Sequence, residues 1–157
     1  MIPLRTLELD GTTDTRTITA IVDAMFVAFE ERDWDRFPDL LDDEVDLDHT
    51  SLGAPATLRL PAAELIAKWR ATLHARKKNF HLLSRFHIEV AGERATASFN
   101  CYAANVLADE LGGGVWEVWG RHRITLRRTA SGWKVAGMTF TKSHSRGDDR
   151  VHSHTLD

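Results

Sequence analysis

Histidine is the side chain whose charge changes nearest neutral pH, and eight histidines are spread through this 157-residue chain. His81 opens a strand-like run, 80–90, and is the first candidate for general acid–base chemistry. A neutral imidazole can take a proton from carbon and return one to a departing hydroxyl. Alternation of Phe86, Ile88 and Val90 puts even positions inward and would leave His81 as a surface residue at a strand start. A bulge between His81 and Phe86 would turn it into the fold instead. Glu30 sits on the shoulder of an apolar helical stripe near the end of its helix, where a carboxylate opposes the helix dipole. It reads either as a solvated neighbour of Glu31 or as the partner of His81. In the second case it would fix the imidazole tautomer and stabilise an imidazolium.

Strand parity nominates the residues that could bind a substrate. His49 shares parity with Val45 and Leu47, and Asp48 is the alternative if the short strand turns its other edge inward. Asn105 continues the small, apolar parity of Ala95, Ala97, Phe99, Cys101 and Ala103, which leaves room for a cavity and an amide at its mouth. His122 shares parity with Trp116, Val118 and Ile124, and Trp69 lies on a buried helical stripe as wall or packing. Each of these could equally be a hydrogen-bonded or packed core residue. Cys101 has no base beside it in sequence and reads as inert packing. His144, His152 and His154 lack closed ligand spacing, so no metal site is expected. Arg121, Arg123, Arg127 and Arg128 fit a solvated strand face, and Gly112-Gly113-Gly114 a hairpin turn, since no helix follows to hold a phosphate.

These residues need elements to hold them. Ile18, Ile21, Val22, Met25, Phe26 and Phe29 recur at helical spacing. Asp33 can cap a second helix carrying Trp34, Phe37, Leu40 and Leu41, with Pro38 requiring a late start. Pro61 opens a third helix with Leu65, Ile66, Trp69 and Leu73 on one side. A short strand is expected at 45–50, and the second half reads as strands at 80–90, 94–107, 115–128 and 133–142. Helices followed by an antiparallel meander make an α+β fold: a cone-shaped α+β barrel with three N-terminal helices packed in a curled antiparallel sheet. Residues 1–15 read as an N-terminal arm, 16–145 as one domain, and 146–157 as a flexible tail. Met138 and Phe140 are candidates for an outward apolar face suited to a homodimer or homotrimer.

Composition narrows the classes. Twenty Lys and Arg against 23 Asp and Glu give a net charge of −3, which excludes a strongly basic nucleic-acid footprint. A single cysteine excludes an internal disulfide and suits a reducing compartment. No apolar run reaches the ~20 residues of a membrane helix, and the first residues lack a signal-peptide core. A cytoplasmic domain with no membrane partner is the expectation.

Four motifs in order, Phe29-Glu30-Glu31-Arg32-Asp33-Trp34-Asp35-Arg36, Leu47-Asp48-His49-Thr50-Ser51, Phe80-His81 and Gly132-Trp133-Lys134-Val135-Ala136-Gly137, resemble the nuclear transport factor 2-like superfamily. The similarity is to its scytalone dehydratase and polyketide cyclase-like (SnoaL-like) branch and spans about residues 16–145. The resemblance implies a catalytic carboxylate–histidine pair at Glu30 and His81. It also implies pocket positions at His49 and Phe29, where such enzymes carry tyrosines. Asn105 falls near their second catalytic histidine, and His122 or Arg123 near an asparagine. Phe29 and Asn105 cannot exchange protons, so only the dyad and the fold carry over.

The leading expectation is a cofactor-free lyase or isomerase, dehydratase-like, acting on a small apolar hydroxylated or carbonyl compound. A ketosteroid-isomerase-like variant needs a buried phenol, and the sole tyrosine, Tyr102, has outward parity. The alternatives are a non-catalytic small-molecule-binding domain of the same fold and a protein-interaction module.

Overall fold

The structure is a computed structural model that describes the backbone of residues 5–156 and side chains from Thr13 onward. A long helix α1 (Arg5–Glu31) is followed by a 3-10 turn at Trp34–Arg36, a short α2 (Phe37–Leu40), strands β1 (Leu41–Asp48) and β2 (Leu58–Pro61), and α3 (Ala62–Thr72). Four long strands follow, β3 (Lys77–Ala91), β4 (Arg94–Leu107), β5 (Val115–Thr129) and β6 (Gly132–Gly147), and then α4 (Arg150–Ser153). The architecture is α+β, with a helical N-terminal region and a curled, unclosed six-stranded sheet ordered β2-β1-β6-β5-β4-β3.

The sheet is mixed rather than wholly antiparallel, because β1 runs parallel to β6 while β2 pairs antiparallel on the outer edge. Sequence periodicity missed β2, whose four residues are too few to show alternation. Helix α1 already covers most of the stretch read as an arm, and Asp14 within it is bound to Arg128 and Trp133. Asp33 makes no side-chain cap; the backbone tightens into the 3-10 turn and Pro38 falls in the first turn of α2, where its missing N–H costs nothing.

The helices occupy the concave face of the sheet. Ile18, Val22, Met25, Phe26 and Phe29 form the buried stripe of α1. Opposite them lie Ala95, Ala97, Phe99, Cys101 and Ala103 of β4 and Trp116, Val118, His122, Ile124 and Leu126 of β5. The small residues of β4 are what keep this interior from filling.

Two bulges decide which side chains look inward. In the β3–β4 ladder Ser84 pairs with Asn100 but His87 with Ser98, so one extra residue sits on β3, with Arg85 at φ 58°. Odd positions from Lys77 to Leu83 therefore face the interior, and even positions do so at Phe86 and Ile88. In the β5–β6 ladder Leu126 pairs with Val135 and Thr125 with Gly137, which leaves Ala136 unpaired. Parity flips there, so Met138 and Phe140 are buried in the interior and do not form the outward face expected of them.

The segment read as a flexible tail is structured. β6 continues to Gly147, Val151 of α4 is buried, and His154 Nδ1 lies 3.0 Å from His74 Nε2.

Candidate functional site

The last turn of α1 and the first residues of β3 meet at one side of an interior cavity of about 180 Å³. That volume is of the order of a cavity known to hold one benzene-sized molecule, about 150 Å³. Glu30 Oε1 accepts the backbone N–H of His81 at 2.6 Å and stands 3.1 Å from His81 Nδ1. A carboxylate accepts only, so Nδ1 carries the proton and Nε2 keeps its lone pair. The bulge at Arg85 is what turns this ring inward, and Phe26 meets it edge-on with centroids 5.0 Å apart. Burial pushes the His81 imidazole below its ordinary value, the Glu30 carboxylate pulls it back up, and the Arg32 charge adds to the lowering. The result is a base that is neutral at pH 7, with an anion placed to receive its charge.

His49 and His122 also line the cavity, and each has a buried ring nitrogen without a hydrogen-bond partner: Nε2 of His49 and Nδ1 of His122. Burial, with the nearby His152, pushes His49 down to about 4. Burial, with His49 and His81, pushes His122 down to about 3. Both are neutral at any physiological pH. Phe26, Phe99 and Phe140 pack around the His122 ring at centroid distances of 5.1, 5.3 and 4.7 Å. Asn105 reaches the cavity from its strand face and Trp69 from the buried stripe of α3, with Asn105 Nδ2 donating to the carbonyl of Trp116 at 3.3 Å.

Asp48 does not reach it. Its Oδ1 accepts from the backbone N–H and hydroxyl of Thr50, and the residue opens instead onto a separate groove beside Arg59 and Thr139. The strand alternates, so with Leu47 buried and His49 turned in at the strand end, the side chain between them must leave the interior. Tyr102 is on the outer face and donates to Glu117 at 2.6 Å. Cys101 lines the cavity, but burial and the Glu30 charge push its thiol up to about 12, which keeps it protonated and unreactive.

Several cavity residues escaped sequence reasoning, Asn79 and His152 among them. Asn79 is two positions before His81 on the same strand face, so the parity of His81 already implied it. His152 reaches the wall from α4 and packs against Trp116 with centroids 4.7 Å apart. Nothing in its polar surroundings signals that; Val151 is the single apolar anchor. Behind His152, Lys77 donates to its backbone carbonyl at 3.2 Å, and burial with Arg32 holds the Lys77 ammonium down to about 8. Among the described residues no three His, Cys, Asp or Glu side chains converge as a metal ion would require.

The sequence from residue 10 to 139 matches the family model of the SnoaL-like domain. The chain belongs to the SnoaL-like family. Solved structures show the same nuclear transport factor 2-like fold. The Kfla4162 protein from Kribbella flavida is 20% identical, with 92% of this chain and 99% of that one covered and a TM-score of 0.86. A candidate scytalone dehydratase from Novosphingobium aromaticivorans is 13% identical over 87% and 88%, with a TM-score of 0.71. Hexachlorocyclohexane dehydrochlorinase LinA-type3 from Novosphingobium barchaimii is 13% identical over 92% and 97%, with a TM-score of 0.72. Among curated proteins none matches the sequence significantly. For this SnoaL-like chain the relatives establish the fold, and the last two carry names of eliminations. No helix among its described residues is long and apolar enough to cross a membrane.

Proposed function

We propose that the protein is a cofactor-free lyase of the dehydratase type, acting on a small, mostly apolar compound with an acidic C–H next to a carbonyl. The observation that carries this reading is the single Glu30 oxygen that holds both the backbone and the Nδ1 of His81 at an apolar cavity. His81 Nε2 takes the proton from carbon, and the C–H electron pair forms the new double bond. The C–O bond breaks with its pair on oxygen, and the imidazolium returns the proton so that water leaves. Glu30 orients the ring and stabilises its charged form. His49 and His122, held neutral, present uncharged polar atoms to the substrate, which favours a neutral oxygen over an anion. The names of the solved relatives add support, since a dehydratase and a dehydrochlorinase both eliminate.

A panel of small β-hydroxy ketones, such as 3-hydroxycyclohexanone followed by growth of enone absorbance, tests the reading. The expected result is catalysis by the wild type that His81→Gln removes while the circular dichroism spectrum stays unchanged. Turnover that survives H81Q overturns His81 as the base, and a wild type that converts none of the panel leaves a binding domain of the same fold.

A further inference from the structure

Asn79 and Asn105 are direct partners across the β3–β4 ladder, and both line the cavity. Their amide orientations follow from their neighbours. Arg32 Nη1 bonds the Asn79 side chain. A guanidinium has donors only, so the atom facing it is Oδ1, and Nδ2 with its two protons is the free end. Asn105 faces the backbone carbonyl of Trp116, an acceptor only, so the atom there is Nδ2 and Oδ1 is the free end. One strand thus offers an amide donor and its neighbour an amide acceptor, from residues whose Cβ atoms sit about 5 Å apart in such a pair.

A hydroxyl carries a lone pair and a proton on one atom and can use both groups. A carbonyl or ether can use only Asn79, and a carboxylate would meet the Asn105 oxygen unfavourably. We propose that Asn79 and Asn105 form a two-point subsite that binds a hydroxyl group of the ligand in this cavity, with Arg32 as the positioning residue that fixes the Asn79 amide.

The anchoring of Arg32 supports that role. It lies just past the end of α1 in a left-handed conformation, φ 59°, uncommon for a side chain of this size. Its guanidinium also donates to the carbonyls of Phe29 and Lys77, so it cannot swing away when the cavity fills. The end of α1 therefore clamps alternate residues of β3: Glu30 holds His81, and Arg32 holds Asn79. Base and hydroxyl subsite lie two residues apart on one strand face, roughly 7 Å along the strand. The subsite deepens the elimination reading and rests on it for the fate of the hydroxyl, since it favours loss of water over a double-bond shift.

Benzyl alcohol and toluene, which differ by the hydroxyl, test the subsite by titration into wild type, Asn79→Leu and His81→Gln. In N79L the preference for alcohol over hydrocarbon should fall by roughly 3- to 10-fold, the loss of one net hydrogen bond, while toluene affinity holds. Arg32 keeps its two carbonyl acceptors in that variant. An unchanged preference overturns the subsite. If N79L does not fold, the wild-type side-chain amide spectrum decides: Asn79 NH2 signals that move with benzyl alcohol but not toluene support it, and signals that respond alike to both overturn it. The two readings fail separately. A preference that ignores Asn79 while H81Q abolishes turnover overturns the subsite alone, and a preference set by Asn79 while H81Q keeps turnover overturns the base alone.

Discussion

The two ends of the sheet treat polar groups in opposite ways. At the end where α1 approaches the β5–β6 turn, Asp14 accepts from Arg128 at 2.8 Å and from the Trp133 indole at 3.0 Å. Asp42 takes Arg127 through two bonds of 2.7 Å each. At the other end, buried His122 and half-buried His49 each keep a buried ring nitrogen unpartnered, and Glu30 engages only one nitrogen of His81. Buried polar atoms are costly to leave unmade, and the first end shows that this fold can pair them. Among the described residues the buried side-chain atoms without a partner are Arg32 Nε, beside Asn79, and the two imidazole nitrogens that line the cavity, and those two mark where a ligand completes the structure.

The sharpest way to break this contrast is at His81. H81Q should lower turnover by roughly 10²- to 10⁴-fold, the usual worth of a positioned general base, with little change in thermal midpoint. A variant that melts much earlier but still turns over would make the residue a strut. Glu30→Gln is the milder probe, with an expected loss nearer tenfold in kcat. The carboxylate raises His81, so its removal lowers the imidazole further. Activity needs the neutral ring, so the acid limb of the pH–rate profile lies below 6.5 in wild type and moves to lower pH in E30Q. A limb that moves upward, or stays, contradicts the pairing.

Much of this was legible before the fold was known, and for identifiable reasons. The parity of β4 was continuous from Ala95 to Ala103, so Asn105 followed from it, and His122 followed from β5 in the same way. His81 required the bulge at Arg85, which apolar alternation implied only because its two halves disagreed. Met138 and Phe140 were misread because the equivalent break at Ala136 lies among small residues that carry no parity. His152 was invisible because its placement depends on tertiary contacts of Val151 and Lys77 rather than on any local pattern. Periodicity reports the strands that build the cavity, and it is silent about the segment that finishes the wall.

Acid stability separates the two ends by pH window. His49 and His122 sit at about 4 and about 3 in the fold against 6.5 when unfolded, so the unfolded chain binds protons that the native state refuses. Stability is complete above pH 6.5 and falls as pH drops below it, by up to ~1.4 kcal/mol per pH unit for each such group. His122→Phe, which keeps the aromatic packing, should flatten that slope by as much as one proton between pH 6 and 5 in melts followed by circular dichroism. The closed end responds elsewhere. The bonds from Arg127 hold the Asp42 carboxyl below its ordinary value of 3.8, so its contribution is present above that value and lost only as pH falls through the depressed one. Asp42→Asn should therefore lower the thermal midpoint by only a few degrees at pH 7 and leave turnover alone. The gap between variant and wild type should close in strong acid, where both side chains are neutral. A D42N gap that instead closes between pH 6.5 and 5 would place the two ends in one titrating unit and remove the contrast between them.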